Sequence, residues 1–119
     1  MGSATPLIRD YETMRRYARR LRSDIGASHV YLFGSQATGH ARPDSDYDLI
    51  VVAESFESVP RVRRGMGLRD LFYDEGGDAS LDLICMTPDE FENAKRRITL
   101  VADVLPEAID LLAEEPAPA

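Results

Sequence analysis

The sequence predicts a small α/β or α+β domain in which helices pack on a sheet of three or four strands. Three observations carry that prediction. The chain has 119 residues, 44% hydrophobic and 29% charged, which suits one core and one domain. An amphipathic helical stripe stands near its start, three short β-favouring runs separated by glycine- and proline-bearing segments follow, and a strongly capped helix comes after the third.

Residues 1–5 and 114–119 (EEPAPA) are expected to be disordered tails, which leaves residues 6–113 as the single domain. Between residues 6 and 27, Met14, Tyr17, Ala18, Leu21 and Ile25 recur at three- and four-residue spacing, flanked by Arg15, Arg16, Arg19, Arg20 and Arg22. That is one apolar helical face beside a charged one. Residues 29–33 (HVYLF) and 47–53 (YDLIVVA) read as buried strands, the second entered from a polar loop. After a loop at 55–60, residues 61–73 place Val62, Met66, Leu68, Leu71 and Phe72 loosely on one side of a helix that Gly65 and Gly67 weaken. Residues 81–86 (LDLICM) form a third strand. Thr87 then stands as N-cap, Pro88 at the first helical position and Glu90 three residues after the cap, with Met86 placed to staple to Phe91. A last helix is expected over residues 106–113.

The charge balance excludes some functions. Fourteen basic against 21 acidic residues give a net charge of −7, and such a chain repels a phosphate backbone, so a duplex-binding module is not expected. No apolar run approaches the roughly 20 residues that span a bilayer. With one cysteine and no leader-like segment, a cytoplasmic location is the expectation.

The chemistry concentrates in residues 34–52 (GSQATGHARPDSDYDLIVV). Gly34 and Ser35 end the first strand at a turn where backbone amides and a hydroxyl can seat a phosphate. Asp46 and Asp48 stand two apart at the entry of the second strand, so both carboxylates project to one side while Tyr47 and Leu49 face the other. Two like charges held together call for a cation, and an all-oxygen set suits Mg²⁺ or Mn²⁺. Asp82, opening the third strand, can reach either that metal or the hydroxyl that attacks phosphorus. Asp44, Asp46 and Asp48 do not make a calcium loop, because Leu49 and Ser55 occupy the positions that need glycine and glutamate.

Gly34, Ser35, Asp46, Asp48, the run 49–52 and the later Asp82 resemble the signature of the DNA polymerase β-like nucleotidyltransferase superfamily. The short length and residues 86–91 (MTPDEF) resemble its minimal nucleotidyltransferase branch. The likeness spans residues 25–112, with 34–52 its specific part. It implies a mixed sheet flanked by helices, a triphosphate held by Gly34 and Ser35, two Mg²⁺ ions (Mn²⁺ possible) on Asp46 and Asp48, and Asp82 completing the site and activating the acceptor. The branch commonly reads Gly-Ser-x-Ala-Arg-Gly. Here Thr38 takes the arginine's place, and Arg42 is the nearby cation that could replace it.

What the resemblance implies is AMP transfer from ATP to a hydroxyl, and the short chain leaves little to enclose an acceptor. Minimal members resemble antitoxins that adenylylate a tyrosine of a helical HEPN ribonuclease, so such a partner is the expected acceptor. The alternatives are a non-catalytic subunit that masks its partner, transfer to a small molecule, and an unrelated metal-binding domain. His29 and His40 are too few for a triad or zinc site and are expected at the surface or in loops. Cys85 reads as a small core residue, the tyrosines as packing, and the arginines of the first helix as its solvated face, the place to look for an acidic partner.

Overall fold

A computed structural model describes residues 11–34, 46–97 and 99–113 of the chain. The two expected tails lie outside the described residues, as do Ser35, Thr38, His40 and Arg42.

The amphipathic stripe forms α1, Tyr11–Ile25, which buries Met14, Tyr17, Ala18 and Leu21. Four strands make one sheet: β1 (Ala27–Phe33), β2 (Tyr47–Ala53), β3 (Leu81–Met86) and β4 (Ile109–Asp110), ordered β3-β2-β1-β4. β1 is antiparallel to β2 and β4, while β2 and β3 run parallel, so the sheet is mixed as the family resemblance implied. β2 lies inside the sheet, and every residue of it except Asp48 is buried. That accounts for its unbroken apolar run, which a strand covered on both faces requires.

The two faces of the sheet hold separate apolar clusters. Val30, Leu32, Leu49 and Val51 pack with α1 and with α2, Leu68–Asp74. Phe33, Ile50 and Val52 pack against α3, Pro88–Lys95, and α4, Leu100–Val104. The capping box forms as expected: the Thr87 hydroxyl accepts from the Glu90 amide at 3.1 Å, and Glu90 accepts from the Thr87 amide at 2.9 Å. Met86 and Phe91 meet in the same cluster. Among the described residues no helix is long and apolar enough to cross a membrane.

Several expectations are corrected. The last segment is not a helix over 106–113. A 3₁₀ turn at Leu105–Glu107 leads into β4, where Ile109 and Asp110 pair with Leu32 and Tyr31. The Leu111 amide donates to the Val30 carbonyl at 2.8 Å, and Leu111 and Leu112 are buried. Pairing with the free edge of β1 and burial of Leu111 and Leu112 together outweigh local helix propensity. The expected helix over 61–73 splits into a 3₁₀ turn at Arg61–Arg63 and α2, because two glycines stand between them, and Val62 and Met66 turn outward. Residues 54–58 form a 3₁₀ turn that buries Phe56, and β1 starts at Ala27. Cys85 is half-buried, and its thiol is pushed up to about 11, chiefly by burial. Tyr17 and Tyr47 are core residues, whereas Tyr73 is 49% exposed.

Phe72 is fully buried, with its ring edge-on to Tyr17 at 5.2 Å and to Tyr47 at 6.4 Å. A Cβ on Gly77 would lie 2.3 Å from this ring, which has nowhere to go. Gly77→Ala is therefore expected to cost about 1–3 kcal/mol, read as a lower urea midpoint at unchanged slope.

Candidate active site

The site is assembled by strand register. Phe33, the last residue of β1, pairs with Asp48 of β2, and Asp48 pairs with Asp82 of β3. Residues opposite one another in a sheet project from the same face, so the two carboxylates stand side by side. Just upstream, the Tyr47 amide donates to the Ser80 carbonyl at 3.0 Å and locks the entries of β2 and β3 together. Beyond the acids on the same face, Ile50, Val52, Ile84 and Met86 belong to the α3–α4 cluster, whereas Tyr47 and Leu49 enter the other core.

Gly34 closes the site on the β1 side. Its φ is +78°, and a Cβ there would sit 2.7 Å from Asp48 Oδ2. Both conditions exclude any other residue without movement. The glycine read from sequence as a phosphate turn thus also makes room for a carboxylate.

Asp48 is half-buried, while Asp46 and Asp82 are exposed. Burial raises the Asp48 carboxyl above its usual range, and the neighbouring Asp82 charge, a hydrogen bond shared with Asp82, and the Asp46 charge raise it further. Like charges this close favour either a shared proton or a bound cation. The oxygen-only donors of Asp48 and Asp82 suit a hard divalent ion. Asp46 acts on the pair through space, and among the described residues no three acidic, histidine or cysteine side chains converge into a ready-made metal cluster. Ser35 and Arg42, expected to seat the triphosphate, lie outside the described residues. Sequence reading missed Arg69, whose Nε donates to the Leu81 carbonyl at 3.2 Å and fixes a cation one residue from Asp82. No local pattern signals it, because the contact joins α2 to the edge of β3.

Residues 14–118 match the nucleotidyltransferase domain family. The chain belongs to that family. As a nucleotidyltransferase domain it is a transferase of nucleotidyl groups, in a family that generally uses a nucleoside triphosphate and a divalent metal. Among solved structures, BolA1 from Arabidopsis thaliana is similar at a TM-score of 0.51 and 20% identity, over 66% of this chain and 94% of that one. A candidate nucleotidyltransferase from Sulfolobus solfataricus is similar at 0.49 and 18% identity, over 92% and 89%. The BolA domain of SufE1 from Arabidopsis thaliana is similar at 0.49 and 23%, over 66% and 94%. No curated protein matches this chain.

Proposed function

We propose that this nucleotidyltransferase domain moves AMP from ATP to a hydroxyl on a partner protein, as an antitoxin that adenylylates a tyrosine of a HEPN-type ribonuclease. The observation that carries the transfer chemistry is the in-register pair Asp48 and Asp82 beside Gly34. The exposure of Asp46 and Asp82 supports a macromolecular acceptor, because a surface hydroxyl can approach them without entering a cavity. Asp46 and Asp48, joined by Asp82, would hold Mg²⁺ (two ions, with Mn²⁺ able to replace it), which when bound neutralises phosphate charge and makes the acceptor hydroxyl more acidic.

The residues of the chain supply position and a proton acceptor. Ser35 and Arg42 would seat the triphosphate while Gly34 keeps the backbone close to it. The acceptor oxygen bonds to the α-phosphorus as the bond from that phosphorus to the β-bridging oxygen breaks. Pyrophosphate leaves with the electron pair, and the Asp82 carboxylate takes the hydroxyl proton.

The test is incubation of the chain with Mg²⁺, ATP labelled on the α-phosphate and a HEPN-type partner. Label is expected on a partner tyrosine and is expected to vanish in Asp46→Ala. Unlabelled partner bound by a folded chain would replace this reading with that of a masking subunit, and label on a small molecule would replace the acceptor. Gly34→Ala is expected to cut transfer about 100-fold, since an ångström-scale displacement of Asp48 costs that much, with a stability loss of about 1–2 kcal/mol for a side chain at positive φ.

A further inference from the structure

Outside β3 no further strand stands among the described residues, and the Asp82 end of that edge is met by Arg69, in the first turn of α2. The Ser80 carbonyl faces β2, where it accepts from the Tyr47 amide. Backbone groups of successive strand residues alternate in side, so the Leu81 carbonyl faces outward, away from β2. Arg69 Nε donates to it at 3.2 Å, which fixes an exposed guanidinium at the edge of the sheet. Its two Nη atoms make no ion pair among the described residues, with neither Asp82 beside Leu81 nor Asp70 beside Arg69 on α2.

The parts of the proposed site therefore stand in a fixed order across the sheet: the Gly34 turn at the end of β1, Asp48 on β2, Asp82 on β3, and Arg69 outside β3. Two strand spacings, about 10 Å, separate β1 from β3, and Arg69 lies farther out. That order separates the two substrates. In phosphoryl-type transfer the attacking and leaving oxygens stand roughly in line, on opposite sides of phosphorus. A triphosphate seated at the Gly34 turn sends pyrophosphate toward β1, so the acceptor hydroxyl enters from β3, where Asp82 takes its proton. The cation at the outer edge of β3 is then beside the acceptor, too far from the triphosphate to replace the arginine whose place Thr38 takes.

We infer that Arg69 is a specificity-determining residue for the acceptor, selecting a tyrosine that has a carboxylate side chain next to it. The inference rests on the proposed transfer reading for the direction of attack. A guanidinium matches a carboxylate through two parallel hydrogen bonds, and the Leu81 anchor leaves both Nη atoms to make them. The selection depends on the divalent ion. With the ion bound, the charges of Asp46, Asp48 and Asp82 are offset and Arg69 decides what the acceptor carries. Without it, the three acids repel an acidic acceptor.

The test uses the full chain with Mg²⁺ and two synthetic tyrosine peptides that differ only beside the tyrosine, with glutamates in one and lysines in the other. Binding is read without transfer, as NMR shifts in the presence of an ATP analogue whose α,β-bridging oxygen is a methylene. Transfer is read with ATP labelled on the α-phosphate. The glutamate peptide is expected to move the Arg69 Nε–H and Asp82 amide signals, and to bind and react at about tenfold lower concentration than the lysine peptide. Arg69→Gln is expected to erase that difference through the KM for the glutamate peptide, leaving the KM for ATP as it was, and Arg69→Glu to turn the preference toward lysine. Arg69→Lys, which keeps the charge without the Nε anchor, is expected to restore part of it. A residue that merely holds α2 to β3 would lower the urea midpoint of these variants and leave the ratio between the peptides unchanged.

Equal affinity of the parent for the two peptides, a preference that survives Arg69→Gln, or no binding of the glutamate peptide would overturn the inference. So would a rise in the KM for ATP in Arg69→Gln, since Arg69 would then belong to the triphosphate. Binding of the glutamate peptide at Arg69 by a chain that labels no hydroxyl would end the transfer reading and leave the carboxylate contact standing. Equal labelling of both peptides would do the opposite.

Discussion

Asp48→Asn is expected to abolish nucleotidyl transfer, by about 1,000-fold or more, and yet to melt at a higher temperature than the parent chain when no divalent metal is present. The first half follows from charge. Asparagine keeps the shape of the side chain but removes the anion that would hold a cation against the phosphates, which is worth several kcal/mol in the transition state. The second half follows from register. Asp48 is opposite Asp82, is half-buried, and its carboxyl is raised first by burial and then by the Asp82 charge. In the parent, ionising both acids without a counter-ion opposes folding. An amide at this position removes the repulsion and can donate to Asp82. Like charges opposite one another in a sheet cost about 0.2–1 kcal/mol, which corresponds to a gain of about 1–5 °C. Adding Mg²⁺ is expected to invert the order, since a ligand that binds only the folded parent stabilises it by about 2.7 kcal/mol at a hundredfold excess over Kd. Thermal melts of both proteins, with and without Mg²⁺, check this independently of any acceptor. A variant that melts lower in both conditions would show that the acid pair is not strained.

Those two carboxylates show what the sequence makes visible and what it does not. The i, i+2 spacing of Asp46 and Asp48 at the start of an apolar run is a local pattern, as are the α1 stripe and the Thr87–Glu90 box, and each appears where the residues predict it. The pairing of Asp48 with Asp82 is different in kind. It depends on two strands 34 positions apart meeting in parallel at one register, and nothing near Asp82 fixes that register. Gly34 is legible as a turn residue, but the approach of Asp48 Oδ2 to its missing Cβ is a fact about the neighbouring strand. β4 is lost to sequence reading for the same reason. Ile109 and Asp110 are a two-residue strand only because the edge of β1 is open beside them, and the apolar pattern of Ala108, Ile109, Leu111 and Leu112 reflects burial rather than a helix. Nothing local marks Arg64 and Arg69, and their hydrogen bonds to the Cys85 and Leu81 carbonyls become visible only when the sheet is in place.

Glu90→Ala is expected to destabilise the fold by about 2–3 kcal/mol. Glu90 Oε1 accepts from Arg64 Nη1 at 2.6 Å and from the Thr87 amide at 2.9 Å, while Oε2 accepts from Arg61 at 3.1 Å. The Arg64 side chain is only 7% exposed and also lies over the Phe56 ring. Removing the glutamate leaves a buried guanidinium without its counter-charge, a loss of 3–5 kcal/mol for a fully buried pair, reduced here because water reaches about a quarter of Glu90. Arg61, at 73% exposure, contributes little, so Arg61→Ala is expected to cost less than about 0.5 kcal/mol. Acid gives the sharper check. The Arg64 hydrogen bond, helped by the Thr87 amide and Arg61, pushes the Glu90 carboxyl down to about 2 against an ordinary 4.5. The unfolded chain takes up this proton first, so the stability the group contributes is whole above about pH 4.5 and is lost as pH falls toward 2. Urea midpoints measured from about pH 6 to about pH 3 are expected to fall more steeply for the parent than for Glu90→Gln, whose amide still accepts from Thr87 but has no charge to lose. Parallel curves would mean that Arg64 is held by the Val59 and Cys85 carbonyls alone. The capping glutamate would then not be what ties Arg64 to the start of α3.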